Sequence, residues 1–412
     1  MAPTSPTSPL SPKSAGGAYE ALGAGLVKTA DQLKELAKRK PTTSPKTCDE
    51  PVVPGTTINA IHENTDDDGG TTFRYFSLRE DGDCTEVTLV GRVKFTEAED
   101  DIASMPVSSH AVLRERAKGE DRTVVIRSNE DGSLAHIFRY NGQPAPWDDA
   151  GRRWLARFLP GILREGSFNV KARVARNRAQ GGVDGVLRMI GTIHSSGSKR
   201  EHYEALLDDG RLSGEDVAKI VQHAGRNIPS SGDLRSVLTK AAPSLRGVRS
   251  SSVEQAAMAV SSSGDRTAVL RAFGQTTDRD LLLGVMRVAL TIPSSGDKAS
   301  LLKTLAPSYL DGNDDALRDA FFRTVATVPS SGDMRSVLTS AAMGYAAANE
   351  KVAYAIATAA LDIPSSGDRT AVLLGLADVR ALKSARVRDA YLKATEGLAS
   401  GDAARALRAA AQ

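Results

Sequence analysis

One phrase recurs along the second half of the chain and limits what that half can fold into. "IPSSGDLRSVLTKAA" at 228–242 returns as "VPSSGDMRSVLTSAA" at 328–342, with relatives reading "VSSSGDRTAVL", "IPSSGDKASLL" and "IPSSGDRTAVLL". Measured at its acid, the phrase falls at Asp233, Asp265, Asp297, Asp333 and Asp368, with weaker copies at Ser198 and Asp402; the steps are 35, 32, 32, 36, 35 and 34 residues. A period of this size marks an α-solenoid, because a single helical hairpin cannot bury its apolar face and must stack on its neighbours. The spacing predicts about six HEAT-like hairpins, period near 34, over residues 167–412. Insertions fall in inter-helix turns such as "SYLDGNDD", where added length costs little.

The phrase has a local physical meaning. Pro229 stops the preceding helix, Ser230 takes the N-cap and Asp233 falls at N3, which spells a capping box with aspartate in place of the usual glutamate. The same assignment pairs Ser262 with Asp265, Ser294 with Asp297, Ser330 with Asp333 and Ser365 with Asp368. Each box contributes about 1 kcal/mol. Behind it, Leu234, Val237, Leu238 and Ala241 share one helical face, matched by Val269, Leu270 and Phe273, by Leu301, Leu302 and Leu305, and by Val337, Leu338 and Ala341. A functional reading competes with capping. Stacking would align the helix starts along one edge, where Arg235, Arg266, Lys298, Arg335 and Arg369 form a ladder for an anion or an acidic partner. The capping aspartates offset that field, so the structural reading takes precedence.

The first half reads differently. Residues 1–17 are a Pro/Ser/Thr tail, residues 18–40 carry apolar positions at helical spacing, and prolines make 41–56 a linker. From 57 to 146 the period changes to two: "TTFRYFSL", "TEVTLVGRVKF", "AVLRERA", "RTVVIRS" and "LAHIFRYNG" are separated by turn clusters, including Asn129 to Gly132 and Asn141-Gly142. This predicts a small antiparallel β-domain. A connecting helix at 147–166 offers Trp154, Leu155, Phe158, Leu159 and Ile162 to cover one sheet face. The expected fold class is thus α+β, a β-domain followed by the solenoid.

Composition excludes several functions. Net charge is +3 and cations are not interleaved with aromatics, which argues against a nucleic-acid partner. No apolar run is long enough to span a membrane, although residues 18–39 suit peripheral contact with one. The histidines, His62, His110, His136, His194, His202 and His223, show no metal-ligand spacing, and HExxH, GxxxxGK[ST] and GxSxG are all missing. The acidic clusters "TDDDGG" and "TEAEDD" lack the EF-hand order of ligands and read as solvated turns. No cofactor, metal or catalytic residue is expected. Cys48 and Cys84 are compatible with one disulfide without requiring it. If Met1 is the native start, the sequence reads as cytoplasmic; if a signal or anchor has been removed, it reads as periplasmic or cell-envelope.

The stretch "GDCTEVTLVGRVKFTEAEDDIASM", then "GSLAHIFRYNG", "AGRRWLARFLPGILRE", "VARNRAQGGVDGVLRMIGTI" and the repeats resemble the soluble region found with some bacterial BlaR-type membrane metallopeptidases. In that region a small β-domain precedes helical repeats that read Ile-x-Ser-Asp. The resemblance covers roughly 57–412 and implies a bacterial sensory or regulatory module. The chain departs from the full family: it has neither HExxH nor a membrane helix, so no catalytic residue carries over, and it writes Ser-Ser-Gly-Asp at the repeat start. The expected function is non-enzymatic, a scaffold binding a protein or peptide. The alternative is a self-assembling structural protein that uses the repeats and the N-terminal amphipathic helix. Were the chain an enzyme after all, the junction of the β-domain with the Trp154 helix would be the place for a pocket.

Overall fold

The structure, a computed structural model, describes residue 48 and residues 57–63, 73–80, 83–107 and 109–411. The expected tail, the helix over 18–40 and, apart from Cys48, the linker lie outside the described residues. The chain divides after Asn169 into two compact units.

The first unit is a sheet covered by a helix. Its strands are β1 (Thr57–Glu63), β2 (Phe73–Glu80), β3 (Asp83–Val90), β4 (Lys94–Phe95), β5 (Ile102–Ser104), β6 (His110–Ala117), β7 (Glu120–Ser128), β8 (Leu134–Tyr140) and β9 (Gln143–Ala145). Seven of them form one antiparallel sheet in the order β1-β2-β3-β6-β7-β8-β9, while β4 and β5 pair separately. The run "TEVTLVGRVKF" is not one strand. Gly91, at φ +83, turns the chain out of β3, and a Cβ there would lie 2.0 Å from Ser109 Oγ, so only glycine fits. The turn at Asn141-Gly142 has φ of 49 and 77, the doubly left-handed geometry that joins two twisted strands, and Lys118-Gly119 repeats it between β6 and β7.

Helix α1 (Asp149–Glu165) starts at Asp148, whose carboxylate accepts from Ala150 N and Gly151 N. Its Trp154, Leu155, Phe158, Leu159, Ile162 and Leu163 are buried together with Phe76, Val87, Leu113, Val124, Ile126 and Phe138 of the sheet. The alternation of strand residues supplies one half of this core and the helical period supplies the other. Cys48 and Cys84 are joined in a disulfide, and the Arg116 guanidinium donates to the Cys48 carbonyl.

The second unit is all helical. It opens with α2 (Val170–Gly191), broken at Gly181-Gly182 where Gly182 has φ 62. Six hairpins follow: α3 (Ser196–Leu207) with α4 (Gly214–Asn227), α5 (Ser231–Ala241) with α6 (Ser250–Met258), α7 (Ser263–Phe273) with α8 (Arg279–Ala289), α9 (Ser295–Leu310) with α10 (Asp315–Val325), the paired segments α11 (Ser331–Val337) and α12 (Met343–Ala346) with α13 (Glu350–Ala360), and α14 (Ser366–Asp378) with α15 (Ala385–Thr395). A last helix, α16 (Ser400–Ala410), carries the final copy of the phrase.

First helices pack on first helices (α3, α5, α7, α9, α11, α14, α16) and second helices on second helices (α4, α6, α8, α10, α13, α15), which is the two-layered stack of an α-solenoid. Val237-Leu238, Val269-Leu270, Leu301-Leu302, Val337-Leu338 and Val372-Leu373 are all fully buried, so the core is one step repeated. One core position differs from the sequence reading. Between α11 and α12 the chain makes a π turn, Leu338–Ala342, which adds a residue to the helical register, so Ala342 and not Ala341 is the fully buried residue.

Candidate functional site

The phrase begins a helix in every hairpin. Ser230, Ser262, Ser294, Ser330 and Ser365 are N-caps, and their hydroxyl oxygens accept from the amides of Asp233, Asp265, Asp297, Asp333 and Asp368 at 3.3, 3.3, 3.2, 3.3 and 3.3 Å. Ser195 does the same for Ser198 N at 3.2 Å.

The reciprocal half of the expected box is built otherwise. A full box closes at the start of α4, where Ser213 Oγ accepts from Asp216 N and Asp216 Oδ2 accepts from Ser213 N. In three of the five phrases, and at Ala399 before the last copy, the N-cap amide goes to the second serine of an adjacent repeat, whereas the buried hydroxyls of Ser196 and Ser263 make no such bond. Ser231 Oγ accepts from Ser262 N at 2.9 Å, Ser295 Oγ from Ser330 N at 3.2 Å, Ser331 Oγ from Ser365 N at 3.4 Å, and Ser366 Oγ from Ala399 N at 3.0 Å. Three of the aspartates also pair with a cation of the preceding repeat: Asp233 with Arg200 at 3.3 Å, Asp265 with Arg235 at 3.0 Å and Asp368 with Arg335 at 3.0 Å. The phrase is therefore a joint between repeats as well as a cap within one.

The ladder of free cations expected at Arg235, Arg266, Lys298, Arg335 and Arg369 is corrected by the same geometry. Arg235 and Arg335 are spent on the aspartates above. The other three clamp the carbonyl ends of successive second helices. Lys298 Nζ donates to Leu290 O at 3.3 Å and Thr327 O at 3.1 Å. Arg266 reaches Val260 O and Met258 O on one side and the Thr291 side chain on the other; Arg369 reaches Leu361 O and Ile363 O, then Glu396 O. Lys199 occupies the matching place before them, donating to Asn227 O at 2.8 Å. Cations at the carbonyl ends of helices satisfy orphan acceptors and complement the helix dipoles. Lys298 is 3 % exposed, and burial holds its ammonium below the usual lysine range.

The two kinds of joint expose a longer period. The two residues after the phrase acid read Lys-Arg (199–200), Leu-Arg (234–235) and Arg-Thr (266–267), then Lys-Ala (298–299), Met-Arg (334–335) and Arg-Thr (369–370). Leu234 and Met334 are buried where the others place a cation. The matching acids lie 333 − 233 = 100 and 368 − 265 = 103 residues apart, so the stack repeats in groups of three hairpins. This explains why "LRSVLTKAA" and "MRSVLTSAA" are nearly the same words.

The phrase glycines stand apart from this scheme. At Gly232, Gly264, Gly296, Gly367 and Gly401 a Cβ would meet nothing within 4 Å, and none has a positive φ. Nothing within the stack explains glycine there. The sequence reading passed over them because a cap needs only the serine and the acid.

Elsewhere the polar groups serve packing. His202 is fully buried between Arg173 and the Ser198 carbonyl, and the Tyr203 hydroxyl meets His223 Nδ1. At the junction beside Trp154, its indole N–H donates to Glu115 Oε2 at 2.8 Å, and its ring packs against Phe138 and Phe158. The "TDDDGG" cluster lies outside the described residues, and in "TEAEDD" Thr96 Oγ1 ties back Asp100. Among the described residues no group of three or more histidine, cysteine or carboxylate side chains could hold a metal, and no helix is long and apolar enough to cross a membrane. No family model, curated protein or solved structure matches the chain, so nothing beyond the quoted stretches links it to BlaR-type proteins.

Proposed function

We propose that the protein is a non-catalytic scaffold whose helical stack receives a protein or peptide partner. One observation carries the reading: in most copies of the phrase the second serine, the aspartate or the cation, the groups that could have done chemistry, is bound to a neighbouring repeat. A serine that caps and an aspartate that pairs with arginine are poorly placed to attack or to exchange protons. What the repeats then offer is a continuous, regular surface, the usual means by which solenoids bind extended partners.

The Cys48–Cys84 disulfide supports a place of work in an oxidising compartment. The resemblance to a bacterial regulatory region fits both points but adds no residue role.

A photo-crosslinking residue at Thr239, and separately at Thr304, both exposed on first helices, tests the scaffold reading in cells of the source organism. The expected result is one and the same foreign protein attached at both positions. Attachment to none would sink the reading. Attachment only to further copies of the chain would favour self-assembly, the second reading, which the exposed leucines of the last repeat also favour.

A further inference from the structure

The last repeat breaks the burial rule that the others obey. Leu407 follows its phrase acid by five residues, the place held by Leu238, Leu270, Leu302, Leu338 and Leu373, each fully buried; Leu407 is 45 % exposed. On the second helices the residue eight after the N-cap is Val221, Ala257, Met286, Phe322 and Ala357, none more than 8 % exposed; its counterpart on α15 is Leu392, at 46 %. The last two helices, α15 of the sixth hairpin and α16 after it, therefore each show water an apolar position that the earlier hairpins bury in the stack.

The residues around these leucines indicate what covers them. On α15, the exposed Arg388 stands four residues before Leu392, and the exposed Glu396, the residue that ends the helix at its C-cap, four residues after it. On α16, the exposed Ala404 and Ala411 flank Leu407, leaving a low apolar ridge that a second helix can approach closely. Each pattern reads the same way against its own reverse. When two such faces meet about a twofold axis that passes beside Leu392 perpendicular to α15, the α15 helices run antiparallel. Arg388 then faces the partner subunit's Glu396, and Glu396 faces the partner subunit's Arg388. A foreign partner needs no such symmetry.

We propose that the face built from Arg388, Leu392, Glu396, Ala404, Leu407 and Ala411 is a dimerisation surface whose occupant is a second copy of this chain. It is isologous, the commonest closed arrangement of identical subunits. It goes beyond the scaffold reading, because a dimer joined at this end leaves the sides of the stack free.

Sedimentation equilibrium of the 412-residue protein tests it. The expected mass is 2 × 43.5 = 87 kDa, falling to 43.5 kDa in Leu392→Glu and in Leu407→Glu with the far-ultraviolet circular dichroism spectrum at 20 °C unchanged, which shows that the variants still fold. Arg388 also donates to Leu382 O and Lys383 O, so its role needs a rescue. Arg388→Glu should dissociate the dimer, and Arg388→Glu with Glu396→Arg should restore it. A wild-type chain that stays monomeric overturns the proposal. So does a dimer that survives both leucine substitutions, or a charge swap that restores nothing.

Discussion

In the β-unit, residues from five strands of the main sheet and helix α1 share a single core: Phe76, Val87, Leu113, Ile126 and Phe138 meet Trp154, Leu155 and Leu159. In the repeat unit the same two-residue core step recurs hairpin after hairpin, and the polar joints tie each repeat only to the next. The difference is one of reach. A lost contact in the β-unit is felt by all five of those strands, because their core residues pack against one another and against α1. A lost contact in the stack is felt by two or three hairpins, because stability there is close to a sum of repeat and neighbour terms. Two sequence patterns, period two and period about thirty-four, thus give two ways of distributing the same modest free energy.

Breaking the disulfide should separate the units most sharply. Cys48 and Cys84 are 36 residues apart, a loop whose closure is worth about 4 kcal/mol in the chain-entropy account. The chain's two tryptophans, Trp147 and Trp154, both lie in the β-unit, so tryptophan fluorescence follows that unit while far-ultraviolet circular dichroism follows mainly the helices. Cys84→Ser, studied with Cys48→Ser to avoid a free thiol, should lower the fluorescence-detected urea midpoint and leave the helix-detected one in place. If both midpoints move together, the units unfold as one body and the comparison fails.

The sequence made some of these features easier to see than others. The repeat count and the buried pairs such as Leu301-Leu302 were legible because the period constrains them many times over. The N-cap serines were legible because a cap is local chemistry, complete within four residues. The partners of Asp265 and Ser231 were not, because they lie a whole repeat away and only stacking brings them together. Arg266 and Arg369 looked like free cations for the same reason: the carbonyls they satisfy belong to helix ends that no local pattern places beside them. In the β-unit, "TEVTLVGRVKF" read as one strand because alternation continues through Gly91, whose positive φ ends β3 without interrupting the hydrophobic pattern.

Acid should affect the units unequally. His110 on β6 is held at a pKa of about 4, first by burial and then by the Arg127 guanidinium, and its Nε2 finds no hydrogen-bond partner among the described residues. The folded pKa lies below the unfolded value of about 6.5, so the unfolded chain binds the proton first. The resulting stability is complete above pH 6.5 and is lost as pH falls toward 4, by up to about 3 kcal/mol. His223 in the repeat unit is shifted the same way by burial and Arg226, but is less deeply buried. The fluorescence-detected midpoint should therefore fall further between pH 7 and pH 4.5 than the helix-detected one, and His110→Asn should flatten that fall. Equal slopes in wild type and variant would remove His110 from the account.

The smallest effects test the neighbour rule itself. Ser262→Ala removes the N-cap of α7 and Ser231→Ala removes the acceptor for the Ser262 amide, so each should lower the helix-detected stability by about 1 kcal/mol. The two serines meet at one helix start, so their double variant should depart from the sum by 0.5 kcal/mol or more, as groups sharing a joint do. Ser262→Ala combined with Ser330→Ala strikes two helix starts separated by a whole hairpin, and these losses should add within about 0.5 kcal/mol. Additive distant pairs beside a coupled adjacent pair are what a stack of joints predicts. Strong coupling between Ser262 and Ser330 would mean that the repeat unit shares its stability as widely as the β-unit does.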